Sequence, residues 1–245
     1  MDYPHARLLN PRKLSGLLAT SLVVGLLGAT SATPGLQLHV ARATFDPLDA
    51  IDVTVRVFNG RSAPIVIRFG QTAEYRLAIS RDGADRWSSL ATTGGTPHAR
   101  TFPRGYTTLV TYEWNGTLAD GSAPASGDYL LHGTLLAEGA QAGDAVRIRI
   151  VAPLPISALA KTGTQIVTVA GTLDAIGMTL RDATGDVKLT RRIPNVAPGT
   201  VVDVRGSLAI QPDGTKAFAI ERWAPQTVGS APHDETSVGP GTWSV

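Results

Sequence analysis

From Leu36 onward apolar side chains recur at every second position, and almost nothing repeats at three and four as an amphipathic helix would require. Ile51, Val53, Val55 and Val57 alternate with Asp52, Thr54, Arg56 and Phe58, and Asn59-Gly60 follows as a turn dipeptide able to adopt positive φ. The pattern predicts a strand, a turn and a second strand. Ile65, Ile67 and Phe69 continue the period, as do Tyr75, Leu77 and Ile79, after which Asp82-Gly83 marks another turn. Further strands are expected at Tyr106 to Trp114, Tyr129 to Leu135 and Val146 to Val151. Seven or eight short strands so spaced read as an Ig-like β-sandwich over residues 33–152.

Ala152-Pro153-Leu154-Pro155 breaks the alternation, because each proline lacks an amide donor and biases its predecessor toward extended backbone. A domain boundary is expected there, with residues 153–163 as a linker. Five further strands, Ile166 to Leu173, Met178 to Asp182, Val187 to Thr190, Val201 to Ile210 and Ala217 to Trp223, suit a small OB-like β-barrel over residues 164–225. Residues 226–245 are Gly, Ser, Thr and Pro with scattered apolar side chains, so disorder is expected of them. The fold class predicted is all-β throughout.

The composition of the 245 residues, 43% hydrophobic and 17% charged, is that of a chain able to bury a core. The absence of cysteine excludes disulfide scaffolds, thiolate metal sites and thiol nucleophiles. Arg7, Arg12 and Lys13 precede a charge-free stretch, Leu14 to Ala32, that ends in small residues, which is the layout of a signal peptide over residues 1–32. A secreted, periplasmic or cell-envelope location follows; an uncleaved N-terminal helical anchor is the alternative. Removing that segment takes three basic residues and Asp2 from totals of 22 and 20, leaving 19 of each sign. A neutral mature chain has no global field to draw in nucleic acid or anionic lipid. No nucleic-acid partner is expected, and no membrane span after cleavage.

No catalytic constellation is legible. His39, His98, His132 and His233 lie far apart without paired-ligand spacing, so no metal site is expected. Neither a Gly-x-Ser-x-Gly elbow, nor a phosphate-cradling Gly-x-x-x-x-Gly-Lys, nor His-Glu-x-x-His occurs. The chain therefore reads as a non-enzyme without a cofactor. Phe58, Phe69, Tyr75, Trp87, Phe102, Tyr106, Tyr112, Trp114 and Tyr129 carry most of its aromatic surface and are expected mainly in the core, with Trp87 placed to cover a sheet edge.

One long irregular segment stands out, Ala91 to Arg104. Pro97 and Pro103 stiffen it, and a stiff extended loop loses little entropy on entering a cleft; the other reading is a mobile connection. Pro97, His98, Arg100, Phe102 and Arg104 are its candidate binding residues. The stretch Asn115 to Gly127 looks more flexible, being rich in Gly, Ser and Ala. From Lys161 to Pro225 eight basic residues face six acidic ones, and Lys188 with Arg191-Arg192 is the only basic cluster, read as a solvated face.

The order of features from Val53 to Leu135 resembles the intracellular proteinase inhibitor (BsuPI-type) family, expected over about residues 45–151. The matching pieces are Phe58-Asn59, Ala63-Pro64-Ile65-Val66-Ile67-Arg68-Phe69, Gly70-Gln71, Tyr75, Asp82-Gly83 before Trp87-Ser88, Phe102, Arg104-Gly105, Tyr112 with Trp114, and Gly127-Asp128-Tyr129-Leu130-Leu131-His132-Gly133. The resemblance implies a β-sandwich that binds and inhibits a serine proteinase, subtilisin-like in kind. The secretory signal and the enlarged Ala91 to Arg104 region depart from the family. The second domain is similar to OB-type barrels of bacterial extracytoplasmic proteins, on Val169-Ala170-Gly171-Thr172-Leu173, Leu180 to Asp186 and Pro198 to Gly206. The expectation is an exported protein-binding module acting as a proteinase inhibitor through a sandwich loop; the alternative is an adhesive or structural module of the cell envelope that binds protein or glycan.

Overall fold

The computed structural model describes residues 34–70, 73–89 and 96–226. The expected signal peptide and residues 227–245 lie outside the described residues. Strands account for almost all the regular structure. In chain order they are β1 Gly35–Val40, β2 Thr44–Phe45, β3 Ile51–Asn59, β4 Ile65–Phe69, β5 Tyr75–Arg81, β6 Ala84–Ser88, β7 His98–Phe102, β8 Gly105–Trp114, β9 Gly127–Ala137 and β10 Ala140–Ile150. After a short 3-10 helix, Ile156–Lys161, come β11 Val167–Leu173, β12 Thr179–Asp182, β13 Gly185–Lys188, β14 Val201–Ile210 and β15 Lys216–Pro225.

The first ten strands make a sandwich. A three-stranded antiparallel sheet, β1-β3-β8, faces a larger one ordered β2-β10-β9-β4-β7, with β5 also paired to β9 and β6 to β5. The two-residue period explains the core. Ile51, Val53, Val55 and Val57 of β3 are at most 1% exposed while the alternate Asp52 and Phe58 face solvent. Phe69, Leu77, Ile79, Phe102, Leu131, Leu135, Ile148 and Ile150 meet them from the larger sheet, and Trp114 of β8 joins them from their own sheet. Trp87 packs from β6 against Tyr112 and Trp114, with ring centroids at 5.6 and 6.1 Å. Phe58 and Tyr106 leave the expected core: they are cross-strand neighbours on the outer face, 40% and 59% exposed, with rings 4.8 Å apart.

Two dipeptides that look alike behave differently. Asp82 and Gly83 both take positive φ, 53° and 76°, and close the β5–β6 hairpin. Asn59-Gly60 makes no hairpin, because β3 and β4 belong to opposite sheets. There the turn is built by the buried Asn59 side chain: its Nδ2 donates to the Ala63 carbonyl at 3.0 Å and the Phe102 carbonyl at 3.1 Å, and its Oδ1 accepts from the Arg61 amide at 2.9 Å.

The strands after the 3-10 helix form one five-stranded antiparallel sheet, β13-β12-β11-β14-β15. It is not the closed barrel expected. Its two edges meet only where Leu189, just past β13, bridges Phe218 of β15. Curling of a short sheet brings Leu180, Val187, Val202, Val204 and Phe218 onto one inner face, and the stretch expected as a linker seals it. Leu154 bridges Val169, and the 3-10 helix buries Ile156 and Leu159 in this second core.

The other face of that sheet lies on sandwich connections. Thr168 Oγ1 donates to the Pro47 carbonyl at 2.6 Å, and the Ala123 amide donates to the Pro225 carbonyl at 2.9 Å. Leu48, Ala123 and Ala224 form a small apolar cluster between them. The 115–127 connection is held by its own side chains, with Asn115 Oδ1 accepting from Thr117 and Asp120 Oδ1 from Ser122. Gly116 sits in it at φ 76°, and a Cβ there would lie 2.5 Å from the Asp49 carbonyl oxygen, so only glycine fits.

Candidate functional site: a divided sheet edge

Along the larger sheet, β9 pairs first with β5 and then, at Phe69 and Ala137, with β4. The next rank is divided in the same way, β6 on β5 and β7 on β4. The free edge of the sheet is therefore two half-strands, β6 and β7, joined by residues 89–97. The segment expected to be an irregular loop from Ala91 to Arg104 is strand for five of its residues, His98–Phe102. Residues 91–95 lie outside the described residues.

The candidate residues separate on this edge. Pro97 and Arg104 are exposed at the two ends of β7. His98 and Arg100 are half-buried and converge on Glu74: His98 Nε2 is 3.1 Å from Oε1, and Arg100 Nη1 donates to Oε2 at 2.7 Å. The His98 ring also stacks on Phe69, with centroids at 5.2 Å. Phe102 is 0% exposed and belongs to the core rather than to a contact surface. Its parity explains this: in β7 the side chains of 98, 100 and 102 point toward the sandwich interior, leaving Ala99 and Thr101 outside beside Arg68 and Val66 of β4.

Glu74, Asn59 and Asp85 were not among the candidates. Asp85 of β6 mirrors Glu74, since Arg76 Nη2 donates to it at 3.1 Å and His132 Nε2 lies 3.0 Å from it. Each half of the edge is thus tied inward by one carboxylate that gathers an arginine and a histidine. The spacing between Glu74 and its partners, 24 and 26 residues, left no local signal. From Arg104 the chain crosses to Tyr106, so the exposed Phe58–Tyr106 pair continues the surface beyond the end of β7.

A second polar cluster lies between the sandwich and the five-stranded sheet. Buried Asp49 receives Arg205 Nη2 at 2.6 Å and Arg42 Nη2 at 2.5 Å. Arg205 Nη1 is buried without a hydrogen-bond partner among the described residues, its nearest carboxylate being Asp46 Oδ2 at 3.8 Å. Burial, then the neighbouring Asp49, raises the Asp46 carboxyl above its ordinary value. Close by, Asp203 is buried with Gln226 Nε2 donating to it at 2.7 Å, and burial pushes its carboxyl up to about 6 against that hydrogen bond.

The described residues contain no group of three or more His, Asp or Glu placed to hold a metal ion, and no helix long and apolar enough to cross a membrane. No protein-family model matches the chain. No curated protein matches it. Among solved structures it aligns with Spo0M, a sporulation control protein from Bacillus subtilis, at 14% identity and a TM-score of 0.29, over 76% of this chain and 83% of that one.

Proposed function

We propose that the chain is an exported protein-binding module, an Ig-like sandwich followed by an OB-like sheet, and that its sandwich acts as a proteinase inhibitor through the β7 edge and the connection that leads into it. The observation that carries this reading is an extended strand with an open edge, held from behind by Glu74 through His98 and Arg100. A proteinase cleft reads extended main chain by adding it as a strand, and backbone already fixed in that shape loses little entropy on binding. The exposed Phe58–Tyr106 pair beside it offers aromatic contact area of the kind that anchors protein partners. The resemblance to the BsuPI-type family points the same way. Function on an edge strand also accounts for the lack of convergent acids or paired histidines in the sequence.

Titration of the full exported chain against subtilisin-like and trypsin-like proteinases tests the reading. Inhibition at about micromolar concentration or below is expected, weakened at least about tenfold by Ala99→Pro, which removes a main-chain donor from β7. Absence of inhibition of either class at that concentration overturns the inhibitory role.

A further inference from the structure

β7 stops at Phe102 and β8 begins at Gly105, so Pro103 and Arg104 alone carry the chain from the larger sheet to the smaller. Asn59 holds this corner at both ends. Its Nδ2 donates to the Phe102 carbonyl at 3.1 Å, and its backbone pairs with Gly105 in the β3–β8 ladder. The ring of Pro103 locks its own φ, and Gly105 takes φ 95°, so the chain turns into β8 directly after Arg104. Space around the corner is open. Pro103 and Arg104 are exposed, and nothing lies within 4 Å of where a Cβ on Gly105 would sit.

The two arginines of this stretch differ in what they touch. Arg100 is turned inward, donating to Glu74 at 2.7 Å and lying over the Phe102 ring at 5.4 Å from its centroid. Arg104 makes no hydrogen bond or ion pair among the described residues. The segments that meet here, residues 53–69 and 96–112, contain no aspartate or glutamate to cancel its charge. A planar guanidinium fork pairs with a carboxylate through two hydrogen bonds, and a carboxylate at the base of the specificity pocket is how trypsin-like proteinases select a basic side chain. Backbone already fixed on either side of that arginine loses little entropy when the side chain enters such a pocket.

We infer that Arg104 is the specificity residue of the inhibitory edge and that the target is a trypsin-like proteinase. The guanidinium enters the acidic pocket, while β7, which precedes it in the chain, pairs with the cleft as an added strand. The inference rests on the inhibitory reading of the β7 edge and narrows its target to one class by charge.

Inhibition constants of the full chain against trypsin, chymotrypsin and subtilisin test this. Trypsin is expected to be inhibited at least about thirtyfold more tightly than either of the others. Arg104→Leu should weaken inhibition of trypsin at least about thirtyfold without moving the melting temperature, and Arg104→Lys should retain it to within about tenfold. The inference alone falls if subtilisin is inhibited as well as trypsin or better, or if Arg104→Leu inhibits trypsin like the unaltered chain. It falls too if trypsin cuts after Arg104 without being inhibited. No inhibition of any of the three enzymes overturns the inhibitory reading with it.

Discussion

Asp49 and Glu74 each gather two basic partners, yet they stand in opposite surroundings. Asp49 is 4% exposed between Arg42 and Arg205 where the sandwich meets the five-stranded sheet, whereas Glu74 is 17% exposed and its partners His98 and Arg100 are 36% and 38% exposed on a sheet edge. Burial decides what the same chemistry does. In the junction, charge removed from water must be matched, so the cluster fixes how the five-stranded sheet lies on the sandwich. On the edge, water screens the pairs, and they orient a strand whose outer side carries no further strand among the described residues.

The largest test of this contrast removes the buried partner. Asp49→Ala leaves Arg205 without its close counter-ion and is expected to cost about 3 to 5 kcal/mol in equilibrium unfolding by urea; a loss below about 1 kcal/mol would deny the junction its role. Asp203→Asn comes next, with the opposite sign. The folded carboxyl titrates near 6 against 3.8 for the free group, so the folded state is favoured below the lower value and loses stability as pH rises through the higher one. The asparagine variant is expected to gain up to about 3 kcal/mol at pH 7 and nothing at pH 4, as read from melting curves at the two values.

Asn59→Ala should cost about 1 to 3 kcal/mol, because it strips the buried Phe102 carbonyl of a donor, and it should speed hydrogen exchange in β7 more than in β10. Glu74→Gln is the smallest in stability, below about 1 kcal/mol, since both its partners are more than a third exposed. If the edge is the working surface, the same change weakens proteinase inhibition more than it lowers the melting temperature.

Much of the sandwich was legible because its signal is local. Val53, Val55 and Val57 announce β3 by alternation alone, and Asp82-Gly83 announces a hairpin through backbone freedom carried by adjacent residues. Asn59-Gly60 carries the same local signal and misleads, because sheet assignment is settled by what β4 packs against, not by the turn. The β7 strand was hidden for a related reason: Ala-Arg-Thr between histidine and phenylalanine is a weak alternation flanked by prolines, and its pairing with β4 supplies the order. The junction was the least visible. Asp49 and Arg205 are 156 positions apart, and a polar residue destined for burial looks in sequence like any solvated one. The connection read as the more flexible of two, residues 115–127, is held by its own side chains and bonds to the five-stranded sheet through the Ala123 amide.

The divided edge also bears on how such a protein could change its target. Since β6 and β7 are each tied to the sheet by a separate carboxylate, the stretch between them can be rewritten without disturbing either anchor. Doubling its length costs only about 0.6 kcal/mol of closure entropy, so variation there is nearly free while the scaffold stays constant. If this edge is the working surface, recognition and stability can then be altered separately, the length of that connection on one side and the two carboxylate anchors on the other.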